Sequence, residues 1–185
     1  PIGPAACTRQ PRISTESSEA ERERSLYNFA HHIAHSWIPK RCHGEGYFPF
    51  SWELAPVIDT IWLSEGFAQY AAIVALAERR PDGASWREKR LEARFRKTLA
   101  DAPDSIRRMP AIALSRVAST RYATDFRTGA SSFSRGGLMA AEMDDLIRSR
   151  TDGRKSFRDA LRHLIAWSKG SGRAFTVEEL PGLLA

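Results

Sequence analysis

Hydrophobic positions recur with a helical period over most of this chain. Apolar side chains stand three or four residues apart, which places them on one face of a helix, and stretches rich in proline or glycine separate the runs. Residues 101–130 contain several of these breakers and are predicted to be irregular or short-helical. The predicted helices run from a cap at Ser17 or Ser18 to Pro39, from Asp59 or Thr60 to Pro81, over 85–99, over 136–150, over 154–167, and from the capping box Thr176–Glu179 to Pro181.

The first predicted helix carries an apolar stripe along one face. Leu26, Phe29, Ala30, Ile33 and Trp37 recur at helical spacing. An apolar stripe of this kind normally packs against other elements, so these residues are predicted to face the core.

The densest run of charge, residues 86–97, interleaves both signs. Leu91, Phe95 and Leu99 recur every four residues around it, so it is predicted to be an amphipathic helix with a solvated basic face. The net charge is +6 and the pI is near 9.7, but no nucleic-acid-binding motif accompanies them, and no nucleic-acid partner is predicted. A basic surface that faces an acidic partner or an anionic membrane is an alternative.

Length and composition are those of a single globular domain. The chain has 185 residues, of which 42% are hydrophobic and 27% charged. No apolar run approaches the roughly 20 residues that a membrane-spanning helix needs, so no transmembrane segment is predicted. Residues 1–16 are rich in Pro, Ser and Thr and are predicted to form a loose arm before a helical domain at 17–185. The predicted fold class is mainly α, with little or no β.

Two histidines stand four residues apart in the segment His31-His32-Ile33-Ala34-His35. Side chains at i and i+4 lie on one face of a helix, so the imidazoles of His31 and His35 can converge on one metal ion. A zinc site of this kind takes a carboxylate as third ligand and leaves a fourth position open. Taken alone, such a pair is also typical of solvated histidines or of histidines at the edge of a core.

Glu65 is the candidate for that carboxylate. It lies in the second predicted helix among apolar residues such as Trp62 and Phe67, and burying a glutamate there is costly unless something pairs with it. Glu65 could instead be exposed or paired with an arginine. A metal ion held jointly by two helices explains its position better.

These segments together resemble the glycyl aminopeptidase family and its relatives around aminopeptidase N. The segment Trp62–Tyr70 is similar to the second zinc-ligand motif of these families, and Trp37, Lys40 and Arg41 are similar to the H-x-W-N-V-K-R continuation of the glycyl aminopeptidase branch. Residues 131–138 resemble the Y-x-K-G-A motif that opens the next helix. The resemblance spans about residues 25–165 and implies that zinc is the cofactor, with His31, His35 and Glu65 as its ligands.

The departures from the family pattern fall on its catalytic positions. His32 stands where the family has its general-base glutamate, and Phe133 stands where it has the tyrosine that donates to the oxyanion. Arg135 replaces the lysine of the same motif. Loss of a general base typically costs about 10²–10⁴ in rate, and loss of an oxyanion donor costs roughly 10²–10³. The expectation is a zinc metallopeptidase-like domain that binds metal but is catalytically impaired.

Two alternatives stay open. The domain could be an active zinc-dependent peptidase or aminopeptidase in which His32 or a residue outside this chain acts as base, since a neutral imidazole is chemically capable of it. His32 could also be an extra metal ligand. The domain could otherwise be a basic, non-enzymatic interaction module. For a peptidase-like domain, the expected substrate or ligand is a peptide or protein.

The resembled peptidases also have a mixed β-subdomain before the histidine helix, and its edge strand holds the substrate backbone. No convincing strand run precedes residue 18 in this chain. The resemblance therefore implies that this chain is the helical lobe of a gluzincin, thermolysin-like metallopeptidase domain, and that the N-terminal β-lobe of a longer chain is missing from it.

Overall fold

The structure is a computed structural model that describes residues 18–49, 53, 56–121 and 123–184. The described part is mainly helical and contains no β-strand beyond an isolated parallel bridge between Gly44 and Phe175. The predicted fold class is confirmed, whereas the predicted arm at 1–16 lies outside the described residues. The helices are α1 Glu19–Ala34, α2 Ile61–Ala77, α3 Gly83–Arg90, a π-helical segment Leu91–Arg96, α4 Lys97–Ala100, α5 Asp104–Arg107, α6 Ala111–Arg121, α7 Phe126–Arg150, α8 Phe157–Ser171 and α9 Leu180–Leu184.

Helix α1 begins where its sequence predicts. The Ser18 hydroxyl accepts from the Glu21 amide at 3.3 Å, and the Glu21 carboxylate accepts from the Ser18 amide at 2.8 Å. This capping box satisfies two amides that a helix start would otherwise leave unpaired. Among the described residues, no helix is both long enough and apolar enough to cross a membrane.

Helix α2 forms the centre of the fold. It is apolar on nearly all sides and packs against α1, α3, α6 and α7. A helix that is hydrophobic all round is stable only when its neighbours cover it. Leu63, Tyr70 and Ile73 are accordingly almost fully buried within it.

The contact between α2 and α7 is made by glycine backbones. A Cβ on Gly66 would lie 2.5 Å from the backbone of Gly136, and a Cβ on Gly136 would overlap the carbonyl oxygen of Trp62. A Cβ on the next residue, Gly137, would overlap the ring of Phe95 in the π-helical segment. The absence of side chains at these glycines therefore sets how closely α7 approaches α2.

A network around Asp144 joins four elements. This buried carboxylate accepts from the Tyr70 hydroxyl at 2.7 Å, from the Phe157 amide at 2.8 Å and from Arg148 Nε at 3.0 Å. The Tyr70 hydroxyl in turn accepts from Arg87 Nη2 at 2.7 Å. A buried charge is tolerated when it is paired and hydrogen-bonded in this way, so the network joins α2, α3, α7 and α8.

Several sequence-based expectations are wrong. Helix α9 runs from Leu180 through Pro181 to Leu184 instead of ending at Pro181, although the predicted capping box of Thr176 and Glu179 is present. Helix α7 begins at Phe126 rather than at 136, because the Asp125 carboxylate caps it by accepting from the Arg127 amide at 3.1 Å. Its first turns are rich in Gly and Ser, which are typical of loops but here allow close packing. Four of the five residues of the predicted stripe do not face the core: Leu26, Phe29, Ile33 and Trp37 are exposed by 56%, 65%, 41% and 42%. Ala30, the fifth, packs against the core.

The glycine contact predicts a large asymmetry between two alanine substitutions. Gly136→Ala should lower the free energy of unfolding by about 1–3 kcal/mol or more, because the new methyl group has no space. Gly170→Ala in α8, where a Cβ meets nothing within 4 Å, should raise it by about 0.5–1 kcal/mol. Urea unfolding of both variants measures the difference, and equal effects would contradict the backbone contact.

Candidate metal centre

One histidine of α1, the histidine that directly follows α1 and one glutamate of α2 converge on one point. His31 Nε2 lies 3.3 Å from Glu65 Oε2, and His35 Nε2 lies 3.5 Å from the same oxygen. His35 directly follows the last residue of α1 and caps it. The candidate ligand atoms of the three side chains all lie within 4.8 Å of one another, and each side chain is partly buried. This is a group that could hold a metal ion.

The nitrogen of His31 supports that interpretation. His31 Nε2 is buried and, although near Glu65, makes no hydrogen bond of acceptable geometry with any described residue. A buried polar atom without a partner is costly in a folded protein and calls for a ligand or an ion. A metal ion bound between the three side chains would satisfy it.

His35 is oriented by its other ring nitrogen. Its Nδ1 lies 2.8 Å from the carbonyl oxygen of Ile38, and since a carbonyl only accepts, Nδ1 carries the proton. In the neutral ring, the lone pair of Nε2 then points toward Glu65. Histidines that bind metals are commonly held by this kind of bond from the opposite nitrogen.

The electrostatics keep Glu65 charged. Burial tends to raise the pKa of Glu65, but the neighbouring imidazoles of His31 and His35 outweigh burial and lower it to about 2. For His35, burial tends to lower the pKa, but the Glu65 carboxylate and the Ile38 carbonyl raise it. The cluster therefore favours an ionised Glu65, and the charge of Glu65 contributes to the raised pKa of His35.

His32 lies outside this cluster. Its side chain is exposed, and its ring stacks beside that of His31 with the centroids 5.4 Å apart. The metal-binding group found among the described residues does not include it. The structure thus places His32 at the rim, next to the candidate ligands.

Phe133 lies within α7 and is buried. Its ring packs edge-to-face on Phe126, with the centroids 6.4 Å apart. It also lines a cavity of about 390 Å³, hereafter the Glu65 cavity, whose wall includes Tyr47, Ser64 and Glu65. Phe133 therefore shares a cavity with Glu65, but it brings no hydroxyl group.

A comparison with known protein families decides the identity of this scaffold. The model of the M61 glycyl aminopeptidase family matches residues 24–136, which is more than half of the chain. The chain belongs to the M61 glycyl aminopeptidase family. The match includes His31, His35, Glu65 and Phe133, and it confirms the resemblance found in the sequence. A search of curated proteins found no significant match.

The M61 family is typically metal-dependent, and the residues of this chain fit a metal ion. The three donor atoms converge, one of them has no other hydrogen-bond partner among the described residues, and another is held by the Ile38 carbonyl. Two imidazoles and a carboxylate are a common donor set for divalent metals. Peptide substrates are the class that membership in this family suggests.

Sequence reasoning missed the polar side chains around this M61 site. Tyr47, from the segment between α1 and α2, bonds its hydroxyl to Ser64 Oγ next to Glu65. Burial, with the charge of Glu65, raises the pKa of Tyr47 to about 12, although the bond to Ser64 opposes the shift. Loop residues such as Tyr47 follow no period, so the pattern of the sequence does not place them.

The raised pKa of His35 predicts that protons compete with the metal. A protonated imidazole cannot bind a metal, so the affinity for a metal ion at this cluster should fall as the pH is lowered through the pKa of His35. We expect a loss of about tenfold per pH unit for each proton displaced. Competition with a chromophoric chelator between pH 8 and pH 5 measures this slope. An affinity that is independent of pH over that range would contradict binding at His35.

Proposed function

We propose that this chain is a zinc-binding, peptidase-like domain of the M61 family whose hydrolytic activity is impaired. The observation that supports it most directly is the convergence of His31, His35 and Glu65 around the buried Nε2 of His31, which makes no hydrogen bond with any described residue. Zinc is favoured because two imidazoles and one carboxylate with an open fourth position are typical of its catalytic sites. When bound, zinc would supply a positive centre that polarises a peptide carbonyl.

The proposed impairment rests on two side chains. A glutamate at position 32 would hold a carboxylate beside the first ligand and accept a proton from water, whereas His32 is exposed at the rim. Phe133 reaches the Glu65 cavity with a ring that cannot donate a hydrogen bond. Peptide binding needs neither group. We therefore propose that the site binds peptides or proteins and cleaves them slowly or not at all.

One alternative has an observation in its favour. The His32 ring lies 5.4 Å from the ring of His31, near enough to the centre for His32 to replace the missing glutamate as base. An active hydrolase of this kind would lose cleavage with His32→Ala and also with His35→Ala. A basic module without metal is the other alternative, and stoichiometric zinc would exclude it.

The metal proposal predicts which histidines matter. Protein purified without a polyhistidine tag should hold about one zinc per chain. His35→Ala or Glu65→Ala should weaken zinc binding more than about 100-fold, because loss of a metal ligand costs more affinity than loss of a residue that only hydrogen-bonds to a ligand. His32→Ala is the matched control from the same helix and should keep the metal. Metal analysis and chelator competition measure both.

Either of two results would contradict this assignment. Equal zinc loss from His32→Ala and His35→Ala would move the site to a different set of ligands. Absence of zinc from the purified protein, together with no change in thermal stability when zinc is added, would leave the scaffold without a metal role.

The impairment proposal predicts that activity can be restored. The double variant His32→Glu with Phe133→Tyr should cleave a glycyl amide substrate faster than the parent, by about 10²-fold or more, because a base and an oxyanion donor return together. Each single variant should gain less. A chromogenic glycyl anilide measures the rate, and the further change His35→Ala should abolish the gain. A parent protein that is already as fast as the double variant would contradict impairment.

We also propose that a further lobe covers the exposed α1 stripe. Leu26, Phe29, Ile33 and Trp37 line an apolar groove of about 870 Å³ together with residues of α2 and α8. Contiguous apolar surface of this kind is typical of an interface. In the resembled peptidases the β-subdomain precedes the histidine helix, so that lobe is the proposed occupant.

The stripe predicts a contrast between two phenylalanines. Phe29 is 65% exposed and Phe67 is 2% exposed. In this chain, Phe29→Ser should change the free energy of unfolding by less than about 1 kcal/mol, whereas Phe67→Ala should cost about 3–5 kcal/mol. In a longer chain that carries the preceding lobe, Phe29→Ser should become costly. Denaturant unfolding of both lengths measures this, and an unchanged cost of Phe29→Ser would contradict coverage by that lobe.

A further inference from the structure

The Glu65 cavity is lined by three hydroxyl groups, those of Tyr47, Ser64 and Ser119. Ser64 and Glu65 come from α2, Tyr47 from the segment before it, Ser119 from α6 and Phe133 from α7. Of the three candidate metal ligands, Glu65 lines this cavity, so a ligand that occupies the cavity lies beside Glu65 and against these groups. Its oxygen atoms would need a hydrogen-bond donor once they leave water.

The hydroxyl groups of this cavity are not equally available. The Ser119 hydroxyl donates to the carbonyl of Arg116 at 2.8 Å and accepts from the amide of Ile58 at 3.2 Å. Its proton is therefore already used within α6. Ser64 is buried, and its Oγ lies 3.3 Å from the carbonyl of Ile61 and against the hydroxyl of Tyr47.

The Tyr47 hydroxyl can still make a further hydrogen bond. Ser64 is the single hydrogen-bond partner of its hydroxyl among the described residues. Since the Ile61 carbonyl only accepts, the Ser64 proton can point to Ile61 while Tyr47 donates to Ser64. The same pair can also reverse, with Ser64 donating to Tyr47, which frees the phenol proton for an oxygen in the cavity.

We propose that Tyr47 donates a hydrogen bond to a peptide carbonyl or tetrahedral oxyanion held in the Glu65 cavity, in place of the hydroxyl that Phe133 lacks. The proposal rests on the proposed metal function, because the ligand is positioned by the metal centre at Glu65. Tyr47 and Phe133 line the same cavity from different elements, so a donor lost from α7 is replaced from the loop between α1 and α2. No covalent bond is formed or broken, and the Ser64 hydroxyl only turns its proton from Ile61 to Tyr47.

The role of Tyr47 predicts selectivity among ligands. One probe is a phosphinic glycyl-alanine analogue, whose phosphorus carries two oxygens, so that one can accept from Tyr47. The other is 2-mercaptoethylamine, which binds zinc through sulfur and offers no oxygen. Tyr47→Phe keeps the ring and should weaken phosphinate binding about tenfold or more, but change thiol binding by less than about twofold.

Tyr27→Phe is the matched control. It also removes a phenol hydroxyl near the candidate centre, but that hydroxyl bonds to Gln69, and Tyr27 lines a different cavity with Arg94. Its affinity for both probes should stay within about twofold of the parent. Isothermal titration calorimetry on zinc-loaded protein measures the affinities, and zinc content is determined first for every variant.

The possible results separate the role of Tyr47 from the metal function. Equal weakening of both probes by Tyr47→Phe would mean that Tyr47 only supports the loop, and no weakening of either would mean that it does not donate. Either result overturns the inference while leaving the zinc site in place. Failure of the parent protein to bind zinc would overturn the proposed function and, with it, this role of Tyr47.

Discussion

Direct backbone contact between α2 and α7 sets how Glu65, one of the three candidate metal ligands, lies relative to α7. Gly66 packs on Gly136 with no room for a methyl group on either residue. Glu65 directly precedes Gly66, and Phe133 lies one turn before Gly136, so the same contact places the carboxylate and the aromatic ring on one cavity. The Asp144 network then joins α7 to α3 and α8 behind this contact. The position of the candidate ligand therefore depends on residues that have no side chain.

Part of the candidate site could be predicted from spacing. Histidines at i and i+4 share a helix face, and a glutamate within an apolar helix needs a partner, which makes His31, His35 and Glu65 candidates. The family resemblance was needed to imply that the three form one site, and the structure brings them together. The cap of α1 at Ser18 was also predictable from the sequence, because the two hydrogen bonds between Ser18 and Glu21 are local. Features of this kind depend on residues close together in the chain.

The errors arose where distant contacts override a local pattern. The Gly- and Ser-rich start of α7 is typical of a loop, but it is helical because α2 and the π-helical segment pack closely against it. The α1 stripe has the periodicity of a core face, and periodicity cannot tell which element covers it. The hydroxyl of Tyr47 reaches Ser64 from an irregular segment, and no sequence period places such a side chain.

Helix α1 carries two different surfaces, and this has a thermodynamic consequence. One face holds the histidines against Glu65, and another exposes Phe29 and Ile33. Within the described chain, α1 is held mainly by α2, with Glu23 also hydrogen-bonded to Trp86 at 2.6 Å. Both an ion at the histidines and a partner on the stripe would restrain the same helix. Linkage then requires reciprocity: whatever coupling free energy the partner adds to ion affinity, the ion adds equally to partner affinity.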